Sequence, residues 1–163
     1  PGTKLLFMGG EFGQKAEWNF QQSLDWHEAE NPLNKGIANV IKQLNKLYKT
    51  EDSLKINQFD SSSFEWIDRQ DSENSVLCYK RKHENEEVYV VLNFTPIPRN
   101  NYKLGVAKNG SFKELLNTDA SENGGSGNVN PTFKSANVGF HGQPYSVEIN
   151  LPPLGAVIFK LIV

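Results

Sequence analysis

The sequence predicts a mainly β protein, in which an antiparallel β-sandwich follows a single βα unit. Two observations lead to this class. After residue 50 the chain divides into seven short apolar or alternating runs separated by turn residues, as in a sandwich. Before residue 50 it holds one continuous apolar run and one stretch with helical spacing. The change of pattern predicts a boundary near Thr50, with one unit over residues 1–50 and a second over residues 51–163.

The first unit opens with the apolar run LLFM at residues 5–8, which ends at Gly9 and Gly10. A continuous apolar run of this kind is typical of a parallel strand that is buried on both faces and has neighbours on both sides. If those neighbours are missing, we expect residues 5–8 to expose apolar side chains and unpaired backbone groups. Residues 11–34 carry aromatic residues among Gly, Gln, Asn and Glu, which predicts a long functional loop.

An amphipathic helix is predicted from Asn34 to Tyr48. Its apolar side chains recur at helical spacing and form a wide stripe, at Ile37, Val40, Ile41, Leu44 and Leu47. A stripe of this width packs against a larger body, and we expect it to cover the strand at residues 5–8. The first unit is therefore one strand, one long loop and one helix.

The second unit is predicted to contain seven strands, at residues 64–68, 76–82, 87–93, 103–106, 112–116, 146–151 and 156–162. The run VYVVL within the third of these favours a central strand. Trp66 lies in the alternating segment FEWID and is expected in the sandwich core. Residues 119–131 are rich in Gly, Ser and Asn and predict a loop between strands.

Charge and composition exclude several classes of function. The 17 Lys and Arg against 19 Asp and Glu give a formal net charge of −2, and no run of like charges suggests a nucleic-acid or membrane-surface partner. The longest apolar stretches fall far short of the roughly 20 residues that cross a bilayer. No secretory signal begins the chain, so we expect a cytoplasmic protein. The single Cys78 is expected to be a buried thiol.

No metal site or cofactor is predicted. The three histidines, His27, His83 and His141, are scattered along the chain. None of them has a Cys or carboxylate partner at the spacing of a metal-ligand motif.

A set of short motifs then points to a family. GTKLLFMGGE at residues 2–11, EWN at 17–19, SLDW at 23–26, NFTPIPR at 93–99 and LPPLGA at 151–156 occur in order along the chain. Together they resemble the C-terminal part of bacterial 1,4-alpha-glucan branching enzymes, which belong to the alpha-amylase superfamily. The resemblance covers essentially all 163 residues. Lys4 stands where the general superfamily motif has Pro, which favours a branching enzyme over an amylase.

The resemblance implies that residues 1–50 are the end of a catalytic (β/α)8 barrel, with strand eight, an active-face loop and a helix, and that residues 51–163 are the C-terminal sandwich. Family members carry their catalytic carboxylates on barrel strands four, five and seven, which would precede Pro1. We therefore assign no catalytic residue to this chain and expect it to be inactive alone. The lack of an initiator Met and the start within a barrel motif indicate an artificial cut.

The resemblance also places residues 9–26 on the active face of the barrel, where Glu11, Trp18 and Trp26 are candidate contacts for an α-glucan. Each has a structural alternative: Glu11 could hydrogen-bond a neighbouring loop, and the tryptophans could simply pack the loop. Two other functions stay open. One is a non-catalytic module that binds glucan or stabilises a barrel; the other is a debranching or trehalose-releasing relative.

Overall fold

The computed structural model describes residues 2–162. Two helices, α1 (Pro32–Thr50) and α2 (Asp52–Lys55), precede the strands. The strands are β1 (Phe64–Asp71), β2 (Val76–His83), β3 (Glu86–Asn93), β4 (Arg99–Val106), β5 (Ser111–Asn117), β6 (Phe133–Lys134), β7 (Tyr145–Leu151) and β8 (Gly155–Ile162). All seven predicted strands are present. The sequence pattern missed α2 and β6, which are four and two residues long.

The strands form two antiparallel sheets. The larger sheet has six strands in the order β1-β2-β3-β8-β5-β6, and the smaller one pairs β4 with β7. β3 is bonded to β2 on one side and to β8 on the other, which confirms that VYVVL belongs to a central strand. The predicted class, a mainly β protein with an antiparallel sandwich, is confirmed.

The main core lies between the two sheets. Tyr89 on β3 and Phe159 on β8 face each other with parallel rings 5.3 Å apart, and Phe112 on β5 packs edge-on against both. These three side chains are fully buried. From the opposite sheet, β4 and β7 contribute smaller aliphatic side chains, at Leu104, Val106, Val147, Ile149 and Leu151. Alternate residues of each strand therefore fill one apolar layer.

A second apolar cluster covers the other face of the large sheet. Val88 and Val90, the neighbours of Tyr89 on β3, point to this face and pack with Leu47 of α1. The cluster is completed by Leu116 and Ile158. β3 is thus buried on both faces, which is why its sequence is continuously apolar rather than alternating. Contrary to expectation, the helix covers this sheet and not residues 5–8.

The expected strand at residues 5–8 is not formed. The segment joins no sheet, and all four of its side chains are exposed, with Leu5 90% accessible. A parallel strand needs a hydrogen-bonding neighbour, and the strands described here pair with one another instead. The structure therefore confirms that these apolar side chains are exposed when neighbouring strands are missing.

Trp66 is not a core residue, which corrects the sequence prediction. It is 44% exposed and lies on the helix side of the large sheet, where its ring packs against Phe64 and Tyr79 at 5.1 and 6.0 Å. Ile67, the next residue and therefore on the opposite face of β1, lies in the core instead. Because β1 is an edge strand, nothing in residues 2–162 extends over the outer side of Trp66.

The thiol of Cys78 is predicted to be unreactive in the native protein. The side chain is fully buried on β2, and burial raises its pKa to about 12, so the reactive thiolate is scarce. We expect negligible reaction with Ellman's reagent at mildly alkaline pH, and one equivalent of thiol after unfolding in guanidinium chloride. Rapid, complete labelling of the native protein would contradict this placement.

Candidate functional site

The loop that precedes α1 is held in a fixed shape by its own side chains. Gly9 has φ +84°, a conformation that favours glycine, and its carbonyl accepts a 3.0 Å hydrogen bond from the Gln14 amide. The Gln14 side-chain oxygen accepts a 2.8 Å hydrogen bond from the Asp25 amide. The Glu28 carboxylate accepts another from the Lys15 amide at 2.9 Å. These bonds join the beginning of the loop to its end.

The same loop is fastened to α1. Asn34, in the first turn of the helix, is buried and donates to the carbonyls of Phe12 and Gly13 at 2.8 and 3.1 Å. Gly13 has φ +66°, and a Cβ there would lie 2.5 Å from the Ile37 side chain. A larger residue at this position would therefore push the loop away from the helix.

An open groove with a volume of about 700 Å³ lies between the loop and α1. Phe12 and Trp26, whose ring centroids are 5.3 Å apart, form its aromatic side. The helix contributes a mixed wall of apolar, neutral polar and basic side chains, at Ala38, Ile41, Lys42, Asn45, Lys46, Lys49 and Thr50. A flat aromatic ring beside donors and acceptors is the arrangement that suits a sugar ring.

Two of the three predicted contact residues meet in this groove. Glu11 and Trp26 both line it, and Trp26 is 56% exposed. Trp18 lies elsewhere, packed edge-on against Phe7 at 5.5 Å. Within residues 2–162, the Glu11 carboxylate accepts no hydrogen bond, and both interpretations of this residue stay open. The assignment of all three to glucan binding stays a prediction.

The helical wall of the groove was missed by the sequence analysis. One of its apolar members, Ile41, belongs to the stripe that we assigned to packing alone. The width of that stripe in the sequence was the feature that could have indicated this second role of the helix. Another set of α1 residues faces the sandwich: Gly36 lies against the Asn123 carbonyl, and Gln43 donates to the Asn123 side chain at 2.8 Å.

The described residues form neither a metal site nor a membrane-spanning helix. Within residues 2–162, no three side chains of His, Cys, Asp or Glu come together in a way that could hold a metal ion. In the same range, no helix combines the length and the apolar composition needed to cross a membrane.

Comparison with known protein families decides the family. Residues 66–162 match the family described as "Alpha amylase, C-terminal all-beta domain". The chain belongs to this family. The match begins in β1 and ends in β8, so it contains both sheets of the sandwich.

Relatives extend the similarity to the first unit. The chain is 46% identical to the 1,4-alpha-glucan branching enzyme GlgB of Aquifex aeolicus, over 98% of this chain and 26% of that protein. It is also 46% identical to the GlgB of Nitrosococcus oceani, over 99% of this chain and 22% of that protein. The resemblance found in the sequence motifs is confirmed, and the chain spans about a quarter of the length of these relatives.

Solved structures agree on the fold. An alpha-amylase from H. orenii superposes with a TM-score of 0.50 at 14% identity, over 85% of this chain and 22% of that one. An inactive double mutant of MutB in complex with isomaltulose gives 0.51 at 21% identity, over 86% of this chain and 20% of that one. At these identities the likeness concerns the fold alone.

Proposed function

We propose that this chain is the C-terminal part of a 1,4-alpha-glucan branching enzyme. The observation that carries the proposal is the identity of 46% to branching enzymes over almost every residue of the chain, the loop and helix included. Such an enzyme cleaves an α-1,4 linkage, holds the released glucan as a covalent intermediate and transfers it to a 6-hydroxyl group. We propose the cytoplasm as its location.

The chemistry belongs to the larger protein. A retaining glycosyl transfer needs a carboxylate nucleophile and a carboxylic acid about 5 to 5.5 Å apart on the two sides of the scissile bond. The resemblance puts these groups upstream of Pro1, so residues 1–163 supply none of them. We propose that this part instead contacts the α-glucan and completes the barrel that carries the catalytic groups.

The groove is where this chain contacts the glucan in our proposal. Trp26 presents an exposed ring beside Glu11, whose carboxylate is free of hydrogen bonds within the described residues. The ring can stack on the apolar face of a glucose unit, and the carboxylate can accept hydrogen bonds from its hydroxyl groups. Trp18 is a third proposed contact, further along the same loop.

The test is product analysis with the full-length protein. Incubation with amylose is expected to create α-1,6 linkages, which proton NMR counts directly, without release of small sugars. The 163-residue chain alone is expected to give none. Loss of existing α-1,6 linkages, or release of trehalose, would assign the protein to another branch of the superfamily. A full-length protein that leaves amylose unchanged would refute the proposal.

Trp26→Ala tests the groove. In the full-length protein, we expect about fivefold weaker binding to amylose, because the stacking surface is lost, a contribution of about 1 kcal/mol. The measurement is retardation in native gels that contain increasing amounts of the polysaccharide.

The matched control for Trp26→Ala is Phe20→Ala, which removes a ring from the same loop. Phe20 is 77% exposed and lies outside the groove. Its variant should migrate like the unaltered protein. If Trp26→Ala is retarded as strongly as the control, the groove does not bind glucan.

A second candidate function is a non-catalytic module that stabilises a barrel. The exposed apolar residues 5–8 favour it, because they offer an apolar segment to a partner domain. Hydrogen exchange distinguishes the cases in the full-length protein: protection of residues 5–8 together with branching activity supports an integral part of the enzyme. The same protection without activity would support the stabilising module.

A further inference from the structure

Arg81 is a buried cation that has no acidic partner among residues 2–162. It lies on β2 opposite Phe64 of β1, and only 6% of its surface is accessible. Among residues 2–162, no carboxylate oxygen lies within 4.0 Å of its guanidinium, and its one hydrogen bond runs from Nη2 to the Ser63 hydroxyl at 3.2 Å. Its Nε is buried and has no partner in the described chain. Buried charges are normally paired, so Arg81 is an exception that calls for a ligand.

A second cation stands beside it. The Lys4 ammonium donates to two neutral acceptors, the Leu54 carbonyl and the Gln58 side-chain oxygen, both at 3.2 Å, and lies 4.5 Å from the centre of the Tyr48 ring. Burial, and then repulsion by Arg81, lower the pKa of Lys4. No carboxylate of residues 2–162 pairs with either cation, so none offsets this repulsion.

Two lysines of the same sheet, one buried and one partly buried, are paired with carboxylates. Lys80, next to Arg81 in sequence, contacts the carboxylates of Glu65 and Glu87 at 3.3 and 3.6 Å. Lys160 on β8 contacts Glu51 and Glu86. The shortage of negative charge is therefore local to Arg81 and Lys4 and is not a general feature of this surface.

Arg81 and Lys4 both line a pocket with a volume of about 260 Å³. Phe64 and Tyr79 form part of its wall, and their rings lie 5.3 Å apart. The pocket is large enough for a tetrahedral anion and leaves room for an organic group against the aromatic side chains.

We infer that Arg81 and Lys4 form a binding site for a phosphate group. Two unpaired cations in one pocket match a dianion, and a phosphate group carries about 1.5 to 2 negative charges near neutral pH, whereas a carboxylate carries one. The planar guanidinium offers parallel N–H donors to phosphate oxygens, and the ammonium adds a point charge. The inference is independent of the proposed branching activity.

The experiment uses the full-length protein, in which residues 2–162 supply the whole pocket. Inorganic phosphate is titrated by isothermal calorimetry against chloride at constant ionic strength, and saturable binding of one phosphate per chain is expected. Arg81→Met and Lys4→Met should each weaken binding about tenfold or more, because each removes a charge-assisted contact. A parallel titration with glucose 6-phosphate identifies the source: tighter binding indicates a phosphate ester, and equal or weaker binding indicates the free anion.

Lys134→Met is the matched control, because Lys134 is an exposed lysine on β6, at the opposite edge of the same sheet from β1. It should bind phosphate like the unaltered chain. Lys4 is exposed too, so Lys4→Met is expected to keep the native near-ultraviolet circular dichroism even if Arg81→Met unfolds. Three results would overturn the site: no saturable phosphate binding, unchanged affinity in Lys4→Met, or acetate binding as tightly as phosphate.

Discussion

Replacing Phe159 with alanine is expected to lower the free energy of unfolding by about 3–5 kcal/mol. Phe159 is fully buried at the centre of the main core, where its ring stacks on Tyr89 at 5.3 Å and meets Phe133 edge-on at the same distance. The rigid strands β3 and β8 prevent the core from closing around the vacated volume. The loss therefore combines the transfer energy of the ring with the cost of a cavity.

Urea denaturation followed by circular dichroism measures this effect. Phe20→Ala is a suitable control, since it removes the same side chain at a site that is 77% exposed, and it should leave the urea midpoint unchanged. A Phe159→Ala protein with the midpoint of the control would show that the two sheets do not share the core described here.

The second large effect is expected for Lys160→Met. Lys160 on β8 bridges Glu51, at the end of α1, and Glu86 on β3, so it joins the helices to the sandwich. Glu51 is only 8% exposed. Removing the ammonium group leaves the partly buried carboxylates of Glu51 and Glu86 without their shared cation. We expect this loss to lower the free energy of unfolding by about 2 kcal/mol. Urea denaturation gives this value.

The control for Lys160→Met is Lys35→Met, which breaks the exposed ion pair between Lys35 and Glu30 and should not move the midpoint. In the double variant Lys160→Met with Glu51→Gln, the penalty should be smaller than the sum of the single effects, because the unpaired charge on residue 51 is gone. Strict additivity would mean that the two side chains are not coupled.

The sandwich could be predicted from the sequence because its strands carry strong local signals. β3 is continuously apolar over residues 88–92 and β8 over residues 156–159, and the structure buries both faces of β3. α1 was equally clear, since its apolar side chains recur at helical spacing over several turns. β6 could not be found, because a two-residue strand has no period to detect.

The errors come from tertiary context. The run at residues 5–8 has the composition of a buried strand, but local pattern cannot say whether neighbouring strands are available, and no strand of the described chain pairs with it. Trp66 obeys an alternating pattern that fits either face, and the pairing of β1 with β2 sets it opposite Tyr79 on the helix side of the sheet.

The candidate groove was only half visible in the sequence. Family resemblance suggested Glu11 and Trp26, but the opposite wall comes from α1, whose apolar stripe serves the groove as well as packing. Arg81 gave no signal at all, because its significance lies in the absence of a carboxylate near it in space. Such an absence can be recognised only once the pairs formed by Lys80 and Lys160 are known.

The central claim is that this sandwich works as part of a larger branching enzyme, and the size of the native polypeptide tests it most directly. The measurement is an immunoblot of the source cells with an antibody raised against the 163-residue chain. Because the chain spans 22–26% of the branching enzymes compared, we expect a band about four times larger than 18.4 kDa. A single band near 18.4 kDa would contradict the account and would favour a free-standing, non-catalytic module.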